Sequence, residues 1–397
     1  MDVTAPLDLL GGLTPEVFMR RYWQKKPLLV RQAWPGVQPP LQRAALFDLA
    51  GSDDVESRLV QRLAPGDGAV PDARWRVRHG PLPRRALPPV SRAGWTLLLQ
   101  GLDLHVSAAH AMLERFAFLP HARLDDLMLS WASDGGGVGP HLDSYDVFLL
   151  QVDGRRRWQV AQVRDAASAA WQADLPLKIL RDFRPEHDWV LEPGDMLYLP
   201  PGWAHDGVAV GGDCMTCSVG LRAPAADALA AELLQRLADD SDDEDSGETA
   251  RLYRDPAQAA TTTPGAIPPA LRDFARQAVE RLLRRADALD RALGEVLSEP
   301  KPRVWFETEE PVRSNAGQGL RLAAATRMLY DDRHIFINGE SFRASGRDAR
   351  LMRALADTRR LGAADRVRLS PDAASLVDDW LRSGWLQALQ TDREYDE

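Results

Sequence analysis

Gly135-Gly136-Gly137-Val138-Gly139-Pro140-His141-Leu142-Asp143-Ser144-Tyr145-Asp146 runs directly into Val147-Phe148-Leu149-Leu150-Gln151-Val152. Glycines let backbone approach a neighbour or ligand closely, and Pro140 stiffens the start of the strand that follows. Successive side chains on a strand face opposite ways, so His141 and Asp143 share a face and can grip one metal ion together. His-x-Asp alone is a weak signal. It gains weight from His205, 62 positions beyond Asp143 in Pro200-Pro201-Gly202-Trp203-Ala204-His205. Two imidazoles and a carboxylate on one side of a metal form the facial triad of non-haem Fe(II) oxygenases. Three coordination positions stay open for a bidentate co-substrate and dioxygen.

The surrounding sequence predicts the scaffold for such a triad. From Asp125 to Arg222 short β-type runs alternate with Gly and Pro: Leu127 to Trp131, Val147 to Val152, Arg157 to Val160, Trp189 to Leu191, Met196 to Leu199 and Met215 to Val219. Many short strands with turn punctuation indicate a sandwich or jelly-roll barrel. Glu192-Pro193-Gly194-Asp195 reads as a tight turn feeding the strand that ends at Pro200 and delivers His205 toward the barrel mouth.

At 397 residues the chain exceeds what one core usually serves, so two or three domains are expected. No apolar run is long enough to span a bilayer, and Met1-Asp2-Val3 lacks the basic start of a secretory signal, so the chain reads as cytoplasmic and without a membrane partner. The net charge of −9 argues against general nucleic-acid wrapping and favours a basic partner. The two cysteines, Cys214 and Cys217, are too few for a disulfide framework or a zinc site and read as unlinked structural thiols.

Thr14-Pro15-Glu16 opens a helix continued by Phe18 to Trp23, and Lys26 to Val30 reads as a strand. Residues Pro65 to Pro89 read as exposed connection, and helical periodicity is expected from Trp95 to about Phe118. After Pro224 helices are expected over Ala226 to Leu237 and Pro269 to Leu297, with an acidic, solvated loop over 239–248 between them. From Lys301 strand-like Leu320 to Thr326 and Ile335 to Gly339 precede helical Asp348 to Leu361 and a helix begun by Ser370-Pro371. That module has the pattern of a winged helix. Its 16 Lys and Arg balance 16 Asp and Glu, so a structural or substrate-positioning role ranks ahead of DNA binding.

An acidic co-substrate inside the barrel needs a cation. Gly154-Arg155-Arg156-Arg157-Trp158 places three arginines at the start of a strand, and alternation aims Arg156 opposite to Arg155 and Arg157. Arg156 shares its face with Trp158, but parity does not say which face is the inner one. An inward guanidinium would take a dicarboxylate's distal carboxylate bidentately, and an exposed basic turn is the other reading.

These stretches, with Tyr22 to Leu29, Arg123 to Met128 and Ser218-Val219-Gly220, resemble the JmjC-type 2-oxoglutarate oxygenases, specifically the bacterial ribosomal oxygenases that hydroxylate an arginine of large-subunit ribosomal protein L-sixteen. The resemblance covers about Leu13 to Arg222. It implies an α+β chain: N-terminal helices and a double-stranded β-helix barrel in 1–223 with the barrel core at about 95–223, a helical dimerisation segment at 224–300, and a winged-helix-like domain at 301–397 that does not bind DNA directly. It further implies that His141, Asp143 and His205 bind Fe(II), and that Arg156, fifteen residues past His141, holds 2-oxoglutarate where many relatives carry lysine. Ser218 or Thr216 on the last barrel strand is expected to add a hydrogen bond to the co-substrate, and O2 is the oxidant. For a cationic arginine substrate the candidates are Asp134, as a carboxylate partner, and Tyr145, as an aromatic wall, with Asp146 behind them; a turn Asp and a core Tyr are the plainer readings. Two rival functions stand beside this one: a cupin-type metalloenzyme that is not an oxygenase, and a winged-helix regulator carrying an inactive barrel.

Overall fold

The computed structural model describes residues 2–63, 75–163, 170–172, 175, 177–243, 252–284, 287–307 and 318–389. The chain divides into two compact units, Met1–Ala223 and Pro224–Glu397. In the first, helices α1 (Pro15–Arg21), α2 (Arg43–Leu49) and α3 (Ser107–Glu114) flank eleven strands among the described residues. These are β1 (Leu28–Val30), β2 (Ser57–Arg62), β3 (Trp75–His79), β4 (Trp95–Leu99), β5 (Leu124–Ala132), β6 (Val147–Asp153), β7 (Arg156–Gln162), β8 (His187–Leu191), β9 (Met196–Leu199), β10 (Trp203–Ala209) and β11 (Cys214–Leu221). Eight of them form one sheet in the order β1-β9-β6-β11-β5-β4-β2-β3, and β10-β7-β8 form a second. Every pairing is antiparallel, as a jelly roll requires.

The continuous apolar runs of β6 and β9 follow from burial on both faces. Val147, Leu149, Leu197 and Leu199 point between the two sheets with Trp158, Val160 and Leu191. Phe148, Leu150, Val152, Met196 and Tyr198 point the other way, into a larger core with Phe18, Phe116, Trp95 and Trp131. That partition settles the parity of β7: the face carrying Arg156, Trp158 and Val160 is the inner one.

Several local expectations are corrected. Trp95 to Leu99 is a strand, not the start of a helix, because all five residues are buried between β2 and β5. A short apolar run looks the same in either state until its neighbours are known. Helix in that region is a short 3-10 turn at Leu102–Leu104 followed by α3. Within the supposed connection from Pro65 to Pro89, Trp75–His79 pairs with β2 as β3, while 64–74 lie outside the described residues. Thr14 caps α1 as expected, its hydroxyl accepting from the Val17 N–H at 3.2 Å.

Asp146 is fully buried. Its carboxylate accepts from the Tyr198 hydroxyl at 2.6 Å and the Gln24 amide at 3.0 Å, with Arg123 at 3.5 Å. It anchors the end of α1 to β9, so it is a structural group and not a substrate contact.

The second unit holds α4 (Ala226–Asp243), α5 (Pro269–Leu283), α6 (Ala288–Ser298), β12 (Leu320–Leu322), β13 (Met328–Tyr330), β14 (His334–Ile337), β15 (Glu340–Arg343), α7 (Gly346–Thr358), β16 (Arg360–Leu361), α8 (Ala363–Arg366), α9 (Pro371–Arg382) and β17 (Leu386–Ala388). Two small sheets, β16-β12-β17 and β13-β14-β15, pack with α7 and α9 around Leu355, Ile337, Val377 and Trp380. The Ser370 hydroxyl caps α9 by accepting from Ala373 N–H. The acidic stretch expected as a loop over 239–248 is helical as far as Asp243, with the Gln235 amide donating to Asp239 one turn on. Residues 244–251 lie outside the described residues.

Removing the buried acceptor should be costly. Asp146→Ala is expected to lower stability by about 3 kcal/mol, since it strands the buried Tyr198 hydroxyl and removes the acceptor shared by Gln24 and Arg123. Denaturant unfolding of wild type and variant checks this, and a change under about 0.5 kcal/mol would contradict the anchoring role.

Candidate metal centre

The two sheets are tied at the site by the backbone. His141 lies on the loop before β6 and His205 within β10, and each donates its N–H to the other's carbonyl, at 3.0 and 2.9 Å. Their rings are consequently 4.2 Å apart between centroids. His141, Asp143 and His205 each offer a ligand atom within 4.8 Å of the other two. The Asp143 carboxylate lies 3.9 Å from Nε2 of His141 and 3.6 Å from Nε2 of His205.

The tautomers are set by carbonyl groups, which can only accept. Nδ1–H of His141 donates to the Gly139 carbonyl at 2.9 Å and Nδ1–H of His205 to that of Trp203 at 3.1 Å. Both Nε2 lone pairs are left to face Asp143, the arrangement a metal needs. Gly139 has φ +82°, and a Cβ there would sit 2.6 Å from Ile179 Cδ1, so glycine is required where the loop bends to present His141. Burial, then the adjacent His141, push the His205 imidazole down to about 4, so it is neutral and able to ligate near neutral pH.

A cavity of about 520 Å³ opens onto the triad, lined among others by Met128, Ser130, Tyr145, Arg156, Trp158 and Ser218. Arg156 is buried, and its Nη1 donates to the Ser130 hydroxyl at 3.2 Å while Nε and Nη2 have no partner. Buried guanidinium N–H groups are costly without an acceptor, so this end of the cavity fits a carboxylate. Tyr145 stands at the mouth, its phenol pushed up by burial and then by the charges of Asp143 and Asp126, which keeps its proton on.

Two candidates are not brought to the cavity. Asp134 accepts from the backbone N–H groups of Gly211 and Gly212 at 3.0 and 3.2 Å, closing the turn between β10 and β11. It is a turn carboxylate, the plainer of its two readings. Thr216 is fully buried, with its hydroxyl donating to Gln151 at 2.9 Å, and Ser218 is the residue of β11 that reaches the cavity wall. Ser130, Met128, Asp125 and Asp126 on β5 were missed as lining groups. Alternation puts Asp126, Met128 and Ser130 on one face, but only the β5–β11 register, with Met128 opposite Ser218, shows that this face is the inner one.

Comparison with known proteins agrees with this geometry. A JmjC domain matches residues 111–229, and a ROXA-like winged helix matches 281–387. The ribosomal protein uL16 3-hydroxylase of Escherichia coli (strain K12) is 32% identical over 340 residues, covering 84% of this chain and 86% of that protein. The chain belongs to the JmjC ribosomal oxygenases. The X-ray structure of Escherichia coli YcfD superposes with a TM-score of 0.78 at 29% identity, covering 95% of this chain and 98% of that one. YcfD, a ribosomal oxygenase, in complex with cobalt and 2-oxoglutarate, superposes at 0.74, again with 29% identity and the same 95% and 98% coverage. The jelly-roll and winged-helix architecture expected from the sequence is thus that of the family. No helix among the described residues is long and apolar enough to cross a membrane.

The depressed His205 value sets a pH dependence for the metal-free protein. Its folded value of about 4 lies below the ordinary 6.5, so folding excludes a proton that the unfolded chain binds. Stability is full above 6.5 and declines as pH falls toward about 4. Thermal melts of metal-free protein across that window should show the decline, and His205→Gln should flatten it; equal slopes would argue against a buried neutral imidazole.

Proposed function

We propose that this chain is an Fe(II)- and 2-oxoglutarate-dependent protein hydroxylase of the cytoplasm that oxidises an arginine side chain of a large-subunit ribosomal protein. One observation carries the reading: a buried guanidinium, Arg156, stands unsatisfied in the same cavity as a two-histidine, one-carboxylate cluster. That cation beside the metal ligands, rather than the ligands alone, counts against a cupin-type enzyme that is not an oxygenase. The charge balance of the C-terminal module counts against a DNA-binding regulator.

His141, Asp143 and His205 would hold the metal, and Arg156, with Ser130 behind it and Ser218 nearby, would hold the distal carboxylate of the keto acid. With both bound, the centre couples oxidative decarboxylation of 2-oxoglutarate to transfer of one oxygen atom from O2 into a C–H bond. The chain's own part is positional. The two carbonyl-bound imidazoles keep their ligating nitrogens aimed, and the apolar wall of Val147, Leu149 and Val160 excludes water from the reacting end. Tyr145 at the mouth supplies a ring against which a guanidinium stem can pack.

Association through a homodimer is part of the proposal. Helix α5 has no buried residue, and Leu271, Val279 and Leu283, which fall along one stripe, are 37%, 50% and 43% exposed. A second copy of the chain covering that stripe is the reading its helical segment supports. Sedimentation of wild type should give the dimer mass and Val279→Glu should shift it toward monomer; a monomeric wild type at micromolar concentration would refute this.

The activity is tested by mass spectrometry of ribosomal proteins incubated with the protein, Fe(II), 2-oxoglutarate and oxygen. One added oxygen atom on an arginine is expected, lost with His141→Ala. Arg156→Ala should raise the KM for 2-oxoglutarate on the order of 100-fold, as expected for losing a charged hydrogen-bonding partner. Oxygen incorporation unaffected by His141→Ala would dispose of the assignment.

A further inference from the structure

Trp158 sits beside Arg156 on the inner face of β7 and lines the same cavity. It is 4% exposed, and its indole Nε1 is buried with no hydrogen-bond partner. A phenylalanine would fill an apolar cluster of Val147, Leu149 and Leu191 without leaving a donor unmatched. The orphaned N–H therefore needs a reason beyond packing.

The shared cavity supplies one. The face of the Trp158 six-membered ring lies over Gly207 of β10, where a Cβ would sit 2.8, 2.5 and 2.5 Å from Cε3, Cζ3 and Cη2. The Arg156 guanidinium carbon lies 5.8 Å from the indole centroid, and Nε and Nη2 of Arg156 are likewise unpartnered. Three buried N–H groups from two neighbouring side chains thus share one cavity without an acceptor. A carboxylate, which only accepts and offers about four lone pairs, matches that surplus of donors.

We infer that the Trp158 indole N–H is a second donor to the distal carboxylate of the keto-acid co-substrate, acting beside Arg156, with Gly207 leaving the space its ring occupies. The inference rests on the functional reading above. Arg156 supplies the charge, and the indole adds a further donor held on a rigid ring. The ring also lies 5.7 Å from that of His205, so one rigid group spans the interval between the cation and a metal ligand.

The test is calorimetric titration of 2-oxoglutarate into Co(II)-loaded protein. Trp158→Phe keeps an aromatic ring and removes the donor, and binding about tenfold weaker is expected, with Co(II) affinity unchanged. Unchanged 2-oxoglutarate affinity in the variant overturns the role of Trp158 alone, whereas a wild type that binds no 2-oxoglutarate removes the functional reading and this proposal with it. A second measurement uses wild-type protein only, so it does not depend on the variant folding. In Zn(II)-loaded protein labelled at the indole nitrogens, the Trp158 N–H proton, assigned through its neighbours on β7, should move downfield with 2-oxoglutarate and stay in place with 2-oxobutyrate, which lacks the distal carboxylate. An unmoved signal, or an equal shift with both acids, overturns the proposal.

Discussion

The reciprocal backbone bonds between His141 and His205 are the constraint from which the rest of the site follows. They join a loop of the larger sheet to a strand of the smaller one, and so close the barrel at the point where the ligands meet. A side chain can be swung by its rotamers, but an N–H and a carbonyl exchanged in both directions hold the two Cα positions together. Asp143, two residues on in the same loop, brings its carboxylate to the same point. The ring nitrogens are aimed by carbonyls at Gly139 and Trp203, so backbone sets both the position and the proton placement of the two imidazoles.

A second constraint is dryness. The cavity is walled on one side by Val147 and Leu149 of β6, packed between the sheets, and that wall makes each polar group inside it matter more. It accounts for the depressed His205 imidazole and for the cost of leaving Arg156 and Trp158 donors unsatisfied. Such unmet groups run against folding stability, and proteins keep them where a ligand completes the bonding.

Several segments take a form that only their tertiary neighbours decide. Trp95 to Leu99 is apolar throughout, so no periodicity distinguishes a strand from a helix until β2 and β5 are seen to enclose it. The acidic residues after Leu237 prolong α4 because a helix already under way extends at little cost, whatever the charge of its next turn. Asp134 and Thr216 have the right chemistry for a site and the wrong partners: one closes a turn with Gly211 and Gly212, the other bonds Gln151 across β11 and β6.

Residue types and short spacings determined a good deal alone. His141 and Asp143 are two apart, the strands between Asp125 and Arg222 are punctuated by turn residues, and Pro371 behind Ser370 starts a helix. Each depends on geometry that repeats within a few residues, so one chain segment contains the information. Which side of β7 is inward, which hydroxyl of β11 meets the cavity, and that Ser130 braces Arg156 were decided only by tertiary structure. Those outcomes depend on register between strands 26 or more residues apart, and a shift of one residue would reverse every side chain on a strand.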